Sequence, residues 1–461
     1  MKTTEPEAAS DASPAREHAA SSAVEGDGVA LNGVAAQGPL GGVAVEEPVA
    51  PQLPPVSLAM TRMASALRHR NFRLFWTGNF LSNIGTWMQN VAQGWLVLEL
   101  SNSAFWLGVV GFASSAPMLV FTLLGGVIAD QMDRRRLLMR TQAAMMVFAF
   151  VLAALTWFKV VNLPEILLLA FATGVAMSLN APSYQALVPQ LVPRKDLTNA
   201  IALNSAQFNM SRVIGPTLGG FAMAWFGVAG NFFLNGLSFL AVLVALARME
   251  YPPAAANDDG AGMLEKLGEG FRYLFGQRSM LMLVTLVGLA SIFGVPYLMF
   301  LPLFARDILG VGERGLGLLM AASGLGAFFG AVTVAWRGRV WRRGRFVTAW
   351  GTVFLASVIL FSFSRWFALS LALQLVAGYS MILMVATVNS LLQHLSREEM
   401  RGRVMSMYAT AFLGFAPVGS LIAGSLAGVM TAPVAIAAMS ALALIVTLFL
   451  YFMRPELRCL D

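Results

Sequence analysis

The stretch YPPAAANDDGAGMLEKLGEGFRYLFGQRS, residues 251–279, is the widest break in an otherwise apolar chain between Phe72 and Met453. On either side of it, runs of about 20 apolar residues recur, the length needed to cross roughly 30 Å of hydrocarbon. Their approximate limits before the break are 72–100, 104–129, 137–158, 164–188, 200–226 and 230–249. After it they are 280–305, 314–336, 346–363, 366–392, 403–429 and 432–453. The break divides six from six and predicts an all-α integral membrane fold of twelve transmembrane helices in two six-helix bundles. Its second part, 263–275, has the pattern of an amphipathic surface helix.

Composition agrees. Of 461 residues, 57% are hydrophobic and 12% charged, against about 25% charged in soluble domains. The net charge of +7 would suggest nucleic acid in a soluble chain, but the basic residues sit in the short connections, where they act as orientation signals. One side carries Arg68, Arg70, Arg73, Arg134–Arg136, Arg194, Lys195, Arg339, Arg343, Arg397 and Arg401, while the other has only Lys159, Arg306, Arg314 and Arg365. This bias places both termini in the cytoplasm of a bacterial-type cell, with the protein in its inner (plasma) membrane. Residues 1–58 lack a periodic apolar pattern and predict a disordered cytoplasmic tail. The expected domains are that tail, bundles at 59–250 and 280–453, a cytoplasmic linker at 251–279 and a short tail at 454–461.

A single cysteine, Cys459, excludes an internal disulfide, and three scattered histidines form no metal cluster. Neither metal nor cofactor is expected. There is no phosphate-binding G-x-x-x-x-G-K loop, H-E-x-x-H or G-x-S-x-G element, so the chain is read as a non-enzyme.

Polar residues inside the spans carry the functional signal. Asn79, Asn83, Thr86, Asn90 and Gln93 fall within about 40° of one direction on a helix. An amide facing lipid has no partner, so the stripe is expected to line a polar substrate path rather than merely bond between helices. In the fifth span Asn204, Gln207 and Ser211 share a face, followed by Arg212 about 18 Å of helix from the cytoplasmic end. A mid-membrane Arg costs about 2.5–3.5 kcal/mol on the insertion scale, so it requires carbonyls, a carboxylate, water or an anionic ligand. Pro216 leaves the Arg212 carbonyl without its helical donor. In GGVIADQMDRRRLL, Asp130 ends its helix where the dipole disfavours an anion. It is expected to reach a cation or another helix N-terminus as a latch between the bundles.

The halves repeat at a displacement of roughly 200 residues: PRKDLTNAIAL (193–203) leads into IGPTLGG, and SREEMRGRVMS (396–406) into APVGSLIAG. GxxADxxDRRR (126–136) resembles the signature loop of the major facilitator superfamily, and GPTLGG (215–220) its antiporter motif. ALRHRNFRLFWTGNFLSNIGTWMQNVAQGWLVLEL, LPLFARDILG and RGRVMSMYATAFLGFAPVGS resemble its branch of enterobactin exporters, secretion effectors and efflux permeases, from Ala66 to Met453. The resemblance implies the major facilitator fold, alternating access and proton-driven export. It also assigns Gly126, Asp130, Arg134 and Arg135 to the latch loop, and Gly215, Pro216, Gly219 and Gly220 to the antiporter element. Departures are Ile128, Gln131 and Asp133; the missing basic residue weakens the loop's charge relay.

The function expected is secondary active export of small organic molecules of drug, dye or siderophore type by proton antiport. The partners are a small-molecule substrate, membrane lipid and protons, with no nucleic acid, in a monomer. The alternatives are an importer or lipid translocator of the same fold, or a non-transporting receptor or scaffold.

Overall fold

The computed structural model describes residues 65–131, 133–249, 272–337 and 343–458; within helices, the side chains of 119, 120, 122–131, 337, 413, 455 and 457 lie outside that description. The tail expected at 1–58 and most of the linker expected at 251–279 also lie outside it.

Every regular element among the described residues is helical. In hydrocarbon each backbone N–H and C=O must be satisfied within its own segment, which a helix achieves. In chain order these are α1 (Arg70–Ser101), α2 (Ala104–Gln131), α3 (Arg134–Trp157) and α4 (Leu163–Leu187). Leu197–Arg248 follows as one element broken at Gly227; its limbs are α5 and α6. Then come α7 (Arg278–Ile308), α8 (Gly312–Arg337), α9 (Arg343–Phe363), α10 (Phe367–Leu395), α11 (Glu398–Val429) and α12 (Ala432–Met453).

Among the described residues nine helices are long and apolar enough to cross a membrane, with Leu197–Arg248 counted as one. Helix α1 falls outside that number because its amides dilute its hydropathy. In α2 the described apolar stretch is Ala104–Met118.

Local chemistry fixes the ends. Asn102 (φ 45°) caps α1 in the left-handed conformation, its N–H donating to Leu98 O. Asp133 caps α3 by accepting the Arg136 N–H at 2.8 Å, and Asn162 with Glu165 forms a capping box for α4. At Gly227 (φ 69°, ψ 178°) the chain leaves the helix and α6 runs back beside α5. Arg135 closes α6, donating from Nε to Leu246 O at 2.7 Å and from Nη2 to Ala247 O at 2.9 Å. A cation there complements the helix dipole.

Within the amino-terminal half α1 packs against Leu197–Arg248, α2 against α4, and α3 against α4 and α6. Within the carboxy-terminal half α10 packs against α8 and α9, and α9 against α12. Helix α7 is irregular. Arg278–Leu289 passes into a π segment (Ala290–Gly294), a 3₁₀ segment (Val295–Phe300) and a second π segment (Phe304–Ile308). Phe304 anchors it on Phe361 of α9, with ring centroids 4.7 Å apart.

The halves meet through α5 with α8 and through α2 with α11. Glycine makes both crossings possible, since small residues let membrane helices approach backbone to backbone. A Cβ on Gly220 would stand 3.0 Å from Gly317 Cα, and one on Gly108 would stand 2.5 Å from Ser420 O and 2.7 Å from Gly424 Cα. Both contacts lie near the arginine-poor ends of their helices.

Candidate functional site

Between the halves lies a cavity of about 420 Å³, walled by α1 to α6 on one side and α7, α8 and α11 on the other. From the α1 stripe, Thr86, Asn90 and Gln93 line it; Asn79 and Asn83 do not. Asn79 is buried instead beside the Tyr184 hydroxyl of α4, a contact within the half. Trp87 and Val91, which point away from the stripe, also line the cavity, because it wraps around more than one face of α1.

The α5 group separates in the same way. Arg212 and Pro216 line the cavity, whereas Asn204, Gln207 and Ser211 do not. Gln207 and Ser211 are almost fully buried. The Gln207 amide atoms, Ser211 Oγ and Asn204 Oδ1 have no hydrogen-bond partner among the described residues.

Arg212 is the one charged side chain among the described cavity-lining residues. Its guanidinium sits 6.0 Å from the Trp87 ring centroid, within cation–π range. Tyr297, buried in the 3₁₀ segment of α7, stands beside it and beside Ser323 of α8. Among the described residues no carboxylate pairs with Arg212. Its carbonyl, left without a helical donor by Pro216, faces Gly324 of α8, where a Cβ would come within 2.9 Å of it. The cation and the backbone beneath it thus lie on the boundary between the halves.

In the antiporter element, Gly215 and Gly219 hold α5 against α1: Cβ atoms there would meet Trp87 Cβ at 2.5 Å and Met88 Cα at 3.0 Å. Gly220 faces α8 instead. In the signature loop, the side chains at 126 and 130 are outside the described set. Arg134 is half-buried, and Arg135 caps α6.

Three features escaped the sequence reading. Asn235 Nδ2 donates to Gln89 Oε1 at 2.6 Å, joining α6 to α1 on the cavity wall; two amides 146 residues apart give no local signal. The Gly108–Gly424 and Gly220–Gly317 pairs likewise join distant segments. Arg306, read only as an orientation charge, reaches across the halves from the end of α7. Its Nη1 donates to Leu98 O at 3.0 Å and its Nη2 to Asn102 Oδ1, both at the end of α1. The visible hint was an arginine on the arginine-poor side, beside Asp307.

A family model described as transmembrane secretion effector matches residues 61–460. The chain is 28% identical over 399 residues to the enterobactin exporter EntS of Salmonella typhi, covering 85% of this chain and 94% of that protein. It is 26% identical over 381 residues to the multidrug efflux pump Tap of Mycolicibacterium fortuitum, covering 80% and 92%. A match to the staphyloferrin A transporter of Staphylococcus aureus, 30% identical over 176 residues, spans 38% of this chain and 44% of that protein. Among solved structures, a bacterial homolog of the human lysosomal transporter Spinster, inward-facing and unoccupied, superposes with a TM-score of 0.63 at 15% identity, covering 86% of this chain and 98% of that one.

Proposed function

Because the chain belongs to the transmembrane secretion effector family of the major facilitator superfamily, we propose that this membrane transporter exports small organic molecules of siderophore, drug or dye type by alternating access. The observation that carries the reading is Arg212, a cation without a carboxylate partner among the described residues, facing a cavity on the boundary between the halves. A charge held at that depth is costly unless something compensates it, and an anionic group on a transported ligand would do so. Thr86, Asn90 and Gln93 complete the polar wall.

In this proposal the halves are two six-helix bundles, 59–250 and 280–453, joined by the 251–279 linker, with both termini cytoplasmic. The arginine-poor ends then face outside. The glycine crossings and the Arg306 bridge belong to a state closed to the outside, and export requires them to part while the cytoplasmic side closes. Asp130 and its loop are the proposed latch at the cytoplasmic end. Proton antiport is the proposed coupling.

The test is retention of fluorescent dyes and a catecholate siderophore in cells with and without the protein, with and without a protonophore, beside Arg212→Ala at matched membrane expression. Export predicts faster, protonophore-sensitive loss of at least one compound, abolished by Arg212→Ala. Loss that ignores the protonophore would remove proton antiport. Unchanged loss in the Arg212→Ala variant would remove the assigned site.

A further inference from the structure

We propose that the cavity is divided chemically along the boundary between the halves, and that its substrate is an amphiphilic organic anion lying across that boundary. The charged, acceptor-rich edge is held by the amino-terminal half, and the apolar flank by the carboxy-terminal half. The inference rests on the transport reading and adds the chemical class of the substrate.

Among the described lining residues, every amide and the only charge come from the amino-terminal half: Gln89, Asn90, Gln93, Arg212 and Asn235. The amino-terminal half also contributes apolar lining such as Leu107, Val110 and Phe239, but the carboxy-terminal half presents no amide or charge, only residues such as Pro296, Leu298, Met299, Pro302 and Met320, with serines at 323 and 420. Ser420 spends its hydroxyl on Ala416 O of its own helix, at 3.1 Å. Ser323 Oγ has no hydrogen-bond partner among the described residues; beyond that one hydroxyl this wall offers apolar contact, and its two thioethers adapt to varied shapes.

One amide pair on the polar wall is engaged: Asn235 Nδ2 donates to Gln89 Oε1 at 2.6 Å, while Ser238 Oγ donates to Asn235 O at 2.7 Å and lies 3.1 Å from Asn235 Oδ1. With its oxygen already accepting from Asn235, Gln89 can offer its NH₂ beside a guanidinium that only donates. Trp87 covers part of Arg212 by cation–π contact; the N–H edge remains for a carboxylate or similar oxyanion, the geometry that suits Arg. A purely polar anion would leave the methionine wall unused, and an aryl cation would face Arg212 with its own charge. The cavity of about 420 Å³ is in the range of small-molecule sites.

The division has a mechanistic consequence. When the halves rock apart, the charged edge keeps its partners while the apolar flank loses its wall. Arg212 should set which charge is accepted, and Met320 how much apolar bulk is rewarded.

The experiment is equilibrium binding to the full chain in lipid nanodiscs, using 2-naphthoate, 2-naphthamide and acetate as matched probes. Naphthoate should bind about tenfold or more tighter than naphthamide, from one charge-assisted contact, and acetate far more weakly than naphthoate. Arg212→Gln should weaken naphthoate far more than naphthamide and so collapse the naphthoate preference; Arg212→Lys should restore part of it, which shows that the site still folds. Met320→Gln should weaken both aryl probes by a similar factor and keep their ratio. Equal affinity for naphthoate and naphthamide, or an equal loss of both in Arg212→Gln, would overturn the proposal. Failure of all three probes to bind while cellular efflux persists would overturn it and leave export standing. Binding as described without efflux of any compound would instead count against export.

Discussion

Arg306→Ala removes the side chain whose hydrogen bonds, among the described residues, tie the end of α7 to the end of α1. Two donations are lost, Nη1 to Leu98 O at 3.0 Å and Nη2 to Asn102 Oδ1. The cation also sits at the C-terminus of α1, where a favourable dipole contact adds about 0.3–1 kcal/mol. Hydrogen bonds to charged groups contribute about 1.5–3 kcal/mol when buried. This side chain is 26% exposed and also pairs with Asp307, so water and Asp307 compensate much of the loss. A net cost of about 1–2 kcal/mol to the closed state remains, a shift of about 5–30-fold in the open-to-closed ratio. The single native cysteine makes the assay direct. In a Cys459→Ser background, Ser115→Cys on the cavity wall reports access to a membrane-impermeant maleimide added outside intact cells. Labelling should quicken by that factor in Arg306→Ala, by less in Asn102→Ala, and by less than the sum in the double variant, because the two share one contact. An unchanged labelling rate at normal expression would refute the reasoning.

The same reporter tests the glycine crossing. Gly108→Ala places a methyl 2.5 Å from Ser420 O, an overpacking cost of about 1–3 kcal/mol that falls on the closed state, so outside labelling should rise. Gly227→Ala meets no neighbour within 4 Å yet must hold φ 69° with ψ 178°; it should cost about 1–3 kcal/mol by conformation alone, read as a lower thermal unfolding midpoint in detergent. At the start of α5, Asp196 accepts from His69 at 2.8 Å and from Ser65 at 2.8 Å, bonds that hold its carboxyl below the usual 3.8. A depressed carboxyl stabilises the fold above its unfolded pKa and loses that contribution as pH falls through the folded one. Asp196→Asn should therefore lower the unfolding midpoint at about pH 5, with the gap to wild type closing only as pH falls below about 3.8.

The polar stripe shows where sequence reasoning stops within a helix. Periodicity fixes the direction of each side chain about the helix axis, and Thr86, Asn90 and Gln93 do meet the cavity on that direction. It does not fix how far along the axis the cavity runs, which depends on the neighbours. Asn79 shares the direction but stands at the depth where Tyr184 covers it. Arg135 makes a similar point: its run resembles a signature loop, but its hydrogen bonds go to the last carbonyls of α6, more than a hundred residues later in the chain.

The sequence by itself determined that the chain is helical and membrane-embedded, and that Pro216 frees a carbonyl beside a mid-span arginine. Each follows from a local property: run length against hydrocarbon thickness, and the missing N–H of proline. Only the tertiary structure decided which polar residues face a common space, that Gly108 meets Gly424 and Gly220 meets Gly317, and that Arg306 spans the boundary. These are meetings between segments about 100 to 300 residues apart, selected by close packing of backbones, and no local pattern encodes which helix will stand opposite.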